Sequence, residues 1–271
     1  MNKSPVILAA AAFAAATITT ASVAHGENVL CAKNSDPSMA STNTASVKLL
    51  VIGNSIVRHG PAPKIGWTNN WGMAASAKDK DFAHLVAKGI ERGTGCAVEL
   101  RIHSSWQLER KYKEYDVYKD LASDAEWKPD YVVFALGENI PVFTNAVDSA
   151  IWSNDLVQAG QVLKAANPDA KFVFRTTFWP QPSKNKVIVA VAKEVGGSVA
   201  DLGKRGDDKR NQAIGLFEHG GVAMHPGDLG MKMMAEIILR AFGFPAEDAP
   251  ESVPSAETAD ARKPQTSENA D

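Results

Sequence analysis

Three residues with complementary chemistry stand where apolar runs give way to turns or helices. Leu49-Leu50-Val51-Ile52 empties into Gly53-Asn54-Ser55-Ile56, so Ser55 follows a strand-like stretch almost directly. Tyr131–Leu136 ends in Gly137-Glu138-Asn139, which offers a side-chain amide. Met224-His225-Pro226-Gly227-Asp228 sets a histidine just before a helix-like segment. A serine hydroxyl beside an imidazole can attack a carbonyl carbon, because the imidazole takes the hydroxyl proton as the new bond forms. An amide N–H from a third position can then hold the oxyanion. Taken singly, Gly-Asn-Ser is also simply what a turn is made of, since Asn and Ser hydrogen-bond their own neighbouring backbone. The case for chemistry therefore rests on whether the fold brings the three together.

The elements around them are legible from periodicity. Val47–Ile52, Ala97–Ile102, Tyr131–Leu136, Lys171–Arg175 and Ser198–Leu202 read as short strands. Asp81–Arg92, Ala146–Ala166, Asn185–Val195 and Leu229–Phe242 read as helices, the last with apolar residues at helical spacing. Alternation of strands and helices predicts an α/β three-layer sandwich with a mostly parallel central sheet flanked by helices. In such open sheets ligands sit beyond the carboxyl ends of the strands, and Ser55 and Asn139 both follow such ends.

With these motifs in this order the chain resembles the SGNH hydrolases, also called GDSL esterases, whose sandwich is flavodoxin-like. Their four blocks supply Ser, Gly, Asn and His. Gly53-Asn54-Ser55-Ile56 is similar to the first block, with Asn54 where Asp is commoner. Trp71-Gly72-Met73-Ala74-Ala75-Ser76 resembles the second, Gly137-Glu138-Asn139 the third, and His225 the fourth. The resemblance covers roughly residues 47–244. It implies Ser55 as nucleophile and His225 as base, with an oxyanion hole made by the backbone N–H groups of Ser55 and Gly72 and the amide of Asn139. It also implies that no metal and no organic cofactor are needed. Two positions depart from the family pattern. Ile140 stands where the third block usually continues with Asp, and Val222 stands where an acid three residues before the histidine would orient it. Changing that acid to its amide costs a serine protease about ten-thousandfold. A backbone carbonyl near Val222 can replace it, giving a Ser-His dyad, and Glu218, Glu138 and Asp228 are the other candidates. The dyad is preferred. Asp228 has a separate reason to be acidic, since it opens a helix whose N-terminal end favours negative charge.

Exported members of this family are often carbohydrate esterases, which makes an O-acetyl group on a glycan the first expectation. Lipid or aryl ester hydrolysis, acyl transfer to another acceptor, and non-catalytic glycan binding by a degenerate site are the alternatives. His59, Trp67 and Trp71 lie near the first two blocks and are candidate substrate contacts. Trp106 and Trp179 follow strands and can also wall a cleft, although indoles pack cores equally well. His84, His103 and His219 form no i, i+4 pair of the zinc-protease kind. The glycines from Gly89 to Gly95 follow a helix rather than a strand, which contradicts a dinucleotide fingerprint.

Composition narrows the class further. A net charge of −2 over 271 residues, with no basic stripe interleaved with aromatics, does not favour nucleic acid. Residues 1–24 read as a signal peptide, with a basic start, an apolar stretch and a small-residue site at Ser22-Val23-Ala24. Export to the periplasm or medium follows. Beyond this segment no run reaches the roughly 18 apolar residues of a membrane span. Leu30 before Cys31 argues against a lipid anchor, and export makes a Cys31–Cys96 disulfide permissible. Residues 25–46 read as a flexible leader and 245–271 as a disordered acidic tail with too little apolar surface to fold.

Overall fold

The computed structural model describes residues 46–143 and 145–245. The expected signal peptide, the leader up to residue 45, Cys31 and the tail from residue 246 lie outside the described residues.

Five strands form one sheet: β1 (Ser46–Gly53), β2 (Ala97–Ser104), β3 (Tyr131–Ala135), β4 (Lys171–Arg175) and β5 (Ser198–Ala200). Their order is β2-β1-β3-β4-β5 and all four pairings are parallel. The sheet is thus wholly rather than mostly parallel. Among the described residues eight α-helices connect and cover the strands: α1 (Phe82–Thr94), α2 (Trp106–Arg110), α3 (Val117–Asp120), α4 (Ala122–Trp127), α5 (Ala146–Ala166), α6 (Pro182–Val195), α7 (Gly220–Ala223) and α8 (Asp228–Phe242).

β1 shows why the layers are three. Leu49, Leu50, Val51 and Ile52 are all fully buried, and alternate side chains point to opposite faces. Leu49 and Val51 pack with Phe82, Val86 and Ile90 of α1 and Met231, Met234 and Ile238 of α8. Leu50 and Ile52 pack with Leu108 of α2, Trp152 and Leu156 of α5 and Ile188 and Val191 of α6. A continuous apolar run is what a strand buried on both faces requires. Each of these side chains contributes roughly 1.5–3 kcal/mol by leaving water.

The chain runs from β1 to β2 on one side and then passes to β3 on the other, so the order of connection reverses between β1 and β3. Open α/β sheets carry their crevice at such a point. Gly53 closes it tightly: a Cβ there would lie 2.4 Å from Val57 Cγ2 and 2.5 Å from the Ala135 carbonyl oxygen. The carboxyl ends of β1 and β3 are therefore held side by side, and the turns bearing Ser55 and Asn139 leave the sheet as neighbours.

The long elements fall where periodicity sets them. Leu136 and Leu202 lie outside the strands because β3 and β5 end at Ala135 and Ala200. The short helices α2, α3, α4 and α7 have no counterpart in the sequence reading, since four to six residues do not complete enough turns to show a period.

Candidate functional site

Ser55 Oγ and His225 Nε2 stand 2.9 Å apart, although 170 residues separate them. The ring's other nitrogen, Nδ1, lies 2.7 Å from the carbonyl oxygen of Gly221. A carbonyl can only accept, so Nδ1 carries the proton and Nε2 of the neutral ring presents its lone pair to Ser55. The local fold explains the carbonyl. α7 ends at Ala223, and His225 donates its backbone N–H to Val222 O, so the Gly221 carbonyl in the last turn meets the imidazole instead of an i+4 backbone donor. Burial pushes the His225 pKa below the ordinary histidine value, with the charge of His59 adding to the effect and the Gly221 carbonyl opposing it. The Trp179 ring meets the imidazole edge to face, with centroids 5.2 Å apart.

Below Ser55 a buried carboxylate gathers the other motif residues. Glu109 is fully buried in α2, directly after β2. Its Oε1 accepts from Gly137 N at 2.5 Å and Asn139 N at 3.1 Å. Its Oε2 accepts from Asn139 Nδ2 at 2.9 Å and from Asn54 Nδ2. One side chain therefore ties the turn after β1 to the turn after β3. It also fixes the Asn139 amide with Nδ2 inward, leaving the second N–H of that nitrogen for a ligand. Desolvation, with the charge of Glu138 added, pushes the Glu109 carboxyl up to about 7 against the pull of these donors. Gly137 is required in this turn, because its φ is +122° and a Cβ would lie 2.7 Å from Thr177 Cγ2.

Glu138 points the other way, to Arg175 Nη2 at 2.8 Å and Phe178 N at 2.8 Å. It anchors the third block to β4 and makes no hydrogen bond to His225. Asp228 accepts from Ser76 N, Ser76 Oγ and Lys80 Nζ, which links the first turn of α8 to the loop before α1. Glu218 is exposed in a neighbouring hollow beside Phe217 and His219. Of the four ways to orient His225, the structure uses the backbone carbonyl.

A cleft of about 520 Å³ opens over Ser55 and His225. Asn139, His59, Arg58, Trp106, Arg110, Ile65, Met73 and Val222 are among the residues that line it. His59 borders the cleft. Three other expectations need correction. Gly72 is buried, and its N–H donates to Asp81 Oδ2 at 3.2 Å, so it is aimed at the cap of α1 rather than at Ser55. Trp67 is fully buried, donates its indole N–H to the His59 carbonyl at 2.9 Å and packs against Trp71 and Phe217. Trp71 donates to the Ala75 carbonyl at 2.9 Å and packs on the core rather than lining the cleft. The loop between the first two blocks folds on its own indoles, and among the described residues Trp106 is the indole that lines the cleft.

The sequence reading missed Glu109, Arg58 and Arg110. One signal was available for α2: Trp106, Glu109 and Arg110 follow the carboxyl end of β2, on the same rim as Ser55 and Asn139. Among the described residues no group of three or more His, Cys, Asp or Glu is placed to hold a metal ion, and no helix is long and apolar enough to cross a membrane.

No protein-family model matches the chain, and no curated protein matches it. Solved structures do resemble it. A protein described as a GDSL-like lipase from Parabacteroides merdae is similar with a TM-score of 0.45 and 16% identity, over 73% of this chain and 95% of that one. A carbohydrate esterase family 2 enzyme with a carbohydrate-binding domain from Corynascus thermopiles (Myceliophthora fergusii) is similar with a TM-score of 0.48 and 18% identity, over 73% and 67%. An acetyl xylan esterase from the rumen bacterium Butyrivibrio proteoclasticus is similar with a TM-score of 0.45 and 16% identity, over 73% and 64%.

Proposed function

We propose that this chain is an exported serine esterase that removes small acyl groups, O-acetyl first among them, from carbohydrate. The observation that carries the reading is the line from Ser55 Oγ through the His225 ring to the Gly221 carbonyl, at 2.9 and 2.7 Å, beneath an open cleft.

Ser55 Oγ attacks the ester carbonyl carbon while Nε2 of His225 takes the hydroxyl proton. The carbonyl oxygen, now an anion, is held by the Ser55 N–H and the free N–H of Asn139 Nδ2, and losing one such donor costs about 2.7–4 kcal/mol in a comparable hole. Collapse of the tetrahedral intermediate breaks the bond to the alcohol oxygen, which leaves with the proton from Nε2. Water then attacks the acyl-serine by the same route, releasing the acid and restoring the hydroxyl.

The depressed pKa of His225 keeps the ring neutral, as a proton acceptor, at neutral pH. An acid partner for Nδ1 would add charge stabilisation to the imidazolium. Holding the correct tautomer is a separate task, and the roughly ten-thousandfold loss in serine proteases comes from holding the wrong one. A carbonyl at Nδ1 performs that task without a carboxylate. The short apolar wall of Ile65, Met73 and Val222 suits a small acyl group, and Trp106 suits a sugar ring.

Acetate release from chromogenic acetate and from acetylated oligosaccharides, measured for wild type and Ser55→Ala, tests the proposal. Turnover that disappears in the variant supports it. Equal, negligible release from both proteins across substrates and pH points instead to glycan binding without chemistry.

A further inference from the structure

The cleft carries a charge that the proposed chemistry does not require. Arg58 enters from the turn after β1 and Arg110 from the end of α2, with His59 and His219 also among its lining residues. Among the described residues no Asp or Glu lines it. The chain as a whole has 31 acidic and 29 basic residues, so this wall inverts the average balance. Two carboxylates that hold the turns beneath it are already engaged. Glu109 is covered by its four donors, and Glu138 is paired with Arg175.

Among the described residues neither arginine meets a carboxylate. Arg110 reaches only the neutral Oδ1 of Asn139, at 3.4 Å, and Arg58 is exposed without a carboxylate partner among the described residues. A guanidinium presents a planar fork of N–H donors that matches the oxygens of an anion, so two open ones on one acid-free cleft are arranged to receive one. Trp106 adds a second constraint. It stands four residues before Arg110, on the same face of α2, and is half exposed. Lys111 brings a further cation to within 5.9 Å of its ring centroid. A pyranose ring laid on this indole would have its substituents within reach of Arg110 and, through it, of the Asn139 amide.

We infer that the substrate is an anionic, O-acylated sugar chain, whose carboxylate or sulfate groups are received by Arg58 and Arg110 while its ester lies over Ser55. The inference rests on the esterase reading for its reaction, but the charge preference stands on binding alone. Two guanidiniums recognising the substrate predict a preference of about ten- to a hundredfold over a neutral analogue, the size of a lost charged hydrogen bond or two. The preference should weaken as salt rises, since partly exposed charges are screened.

The test compares kcat/KM on acetylated oligogalacturonides, acetylated and sulfated xylo-oligosaccharides, and acetylated neutral xylo-oligosaccharides of matched length. Wild type and the Arg58→Gln/Arg110→Gln double variant are measured at low and high salt. The expected result is a wild-type preference for one or both anionic substrates that collapses in the double variant and shrinks with salt, and the two anionic arms report which oxyanion is read. Taking a ratio removes any general effect of Arg110 on Asn139. Equal kcat/KM on anionic and neutral substrates in wild type, or an undiminished ratio in the double variant, overturns the inference while leaving the esterase intact. If no substrate turns over, calorimetric titration of Ser55→Ala with deacetylated oligogalacturonide, sulfated xylo-oligosaccharide and neutral xylo-oligosaccharide decides it. Preferential anion binding would uphold the charge assignment as the esterase reading fell, and equal or absent binding would sink both.

Discussion

Replacing Glu109 by glutamine alters one atom of the carboxyl group and nearly none of its volume. The carboxylate accepts four N–H donors, from Asn54, Gly137 and twice from Asn139. Glutamine keeps one acceptor oxygen and turns an NH2 toward the other pair, leaving buried donors unsatisfied at about 1–3 kcal/mol each. The pH dependence is the sharper test. The folded-state value of about 7 lies above the ordinary 4.5, so the native protein binds this proton more tightly than the unfolded chain. Stability from this group is fully present below pH 4.5 and is lost as pH rises through 7. Between about pH 5 and pH 8 the wild type should give up roughly 2.5 kcal/mol by this route, at 1.36 kcal/mol per pKa unit, and Glu109→Gln should give up none of it. Urea unfolding of both proteins at the two pH values measures this: the variant's deficit should be larger at the acidic pH by that amount. A deficit equal at both, or larger at the alkaline pH, would mean that the four donors hold the carboxyl at or below its ordinary value, and the reasoning from burial would be wrong. Activity carries a parallel signature. A protonated Glu109 must donate where its neighbours also donate, so the Asn139 amide loosens and the acid limb of kcat/KM should fall near pH 7. In the variant the residual limb should move below the ordinary histidine value of 6.5, to the depressed pKa of His225.

Asn139→Ala should lower kcat by about a hundred- to a thousandfold with a much smaller change in KM, as expected of a donor that acts on the oxyanion; steady-state kinetics on a chromogenic acetate checks it. Val222→Asp, which places an acid three residues before the histidine, should not raise kcat, because Val222 is fully buried and Gly221 already occupies Nδ1. Thermal and urea unfolding should instead show a loss of about 3 kcal/mol or more from an unpaired buried charge. Exported protein recovered from the periplasm or medium should begin at His25, read by N-terminal sequencing; a retained Met1 would refute the signal-peptide reading.

Much of the fold was legible because parallel strands buried on both faces must be continuously apolar, and Leu49 to Ile52 or Tyr131 to Ala135 can be little else. Ser55, Asn139 and His225 were legible for a related reason. Ser55 and Asn139 each follow a strand whose carboxyl end the topology sends to one rim, so their convergence needed no knowledge of side-chain contacts, whereas His225 was marked by Pro226 and the helix it precedes. What remained hidden depends on tertiary detail. Glu109 looks like one more polar residue in Gln107-Leu108-Glu109-Arg110, and only the meeting of the β1 and β3 turns beneath it makes it a clamp. Gly72 has the right residue type in the right block, yet the direction of one N–H decides its role, and Asp81 claims that bond. Trp67 and Trp106 are indistinguishable by type. The first closes its own loop against Phe217, and the second lies on a five-residue helix too short to announce which side it shows.

The central claim is that Ser55 is acylated by substrate and released by water with His225 as base. Mixing the protein with an aryl acetate, quenching in acid within the first turnover and mapping peptides by mass should find one acetyl group, on Ser55, which decays as product continues to appear and is absent from Ser55→Ala. Aryl alcohol released by wild type and Ser55→Ala at the same rate, with no acetyl on Ser55, would contradict the account.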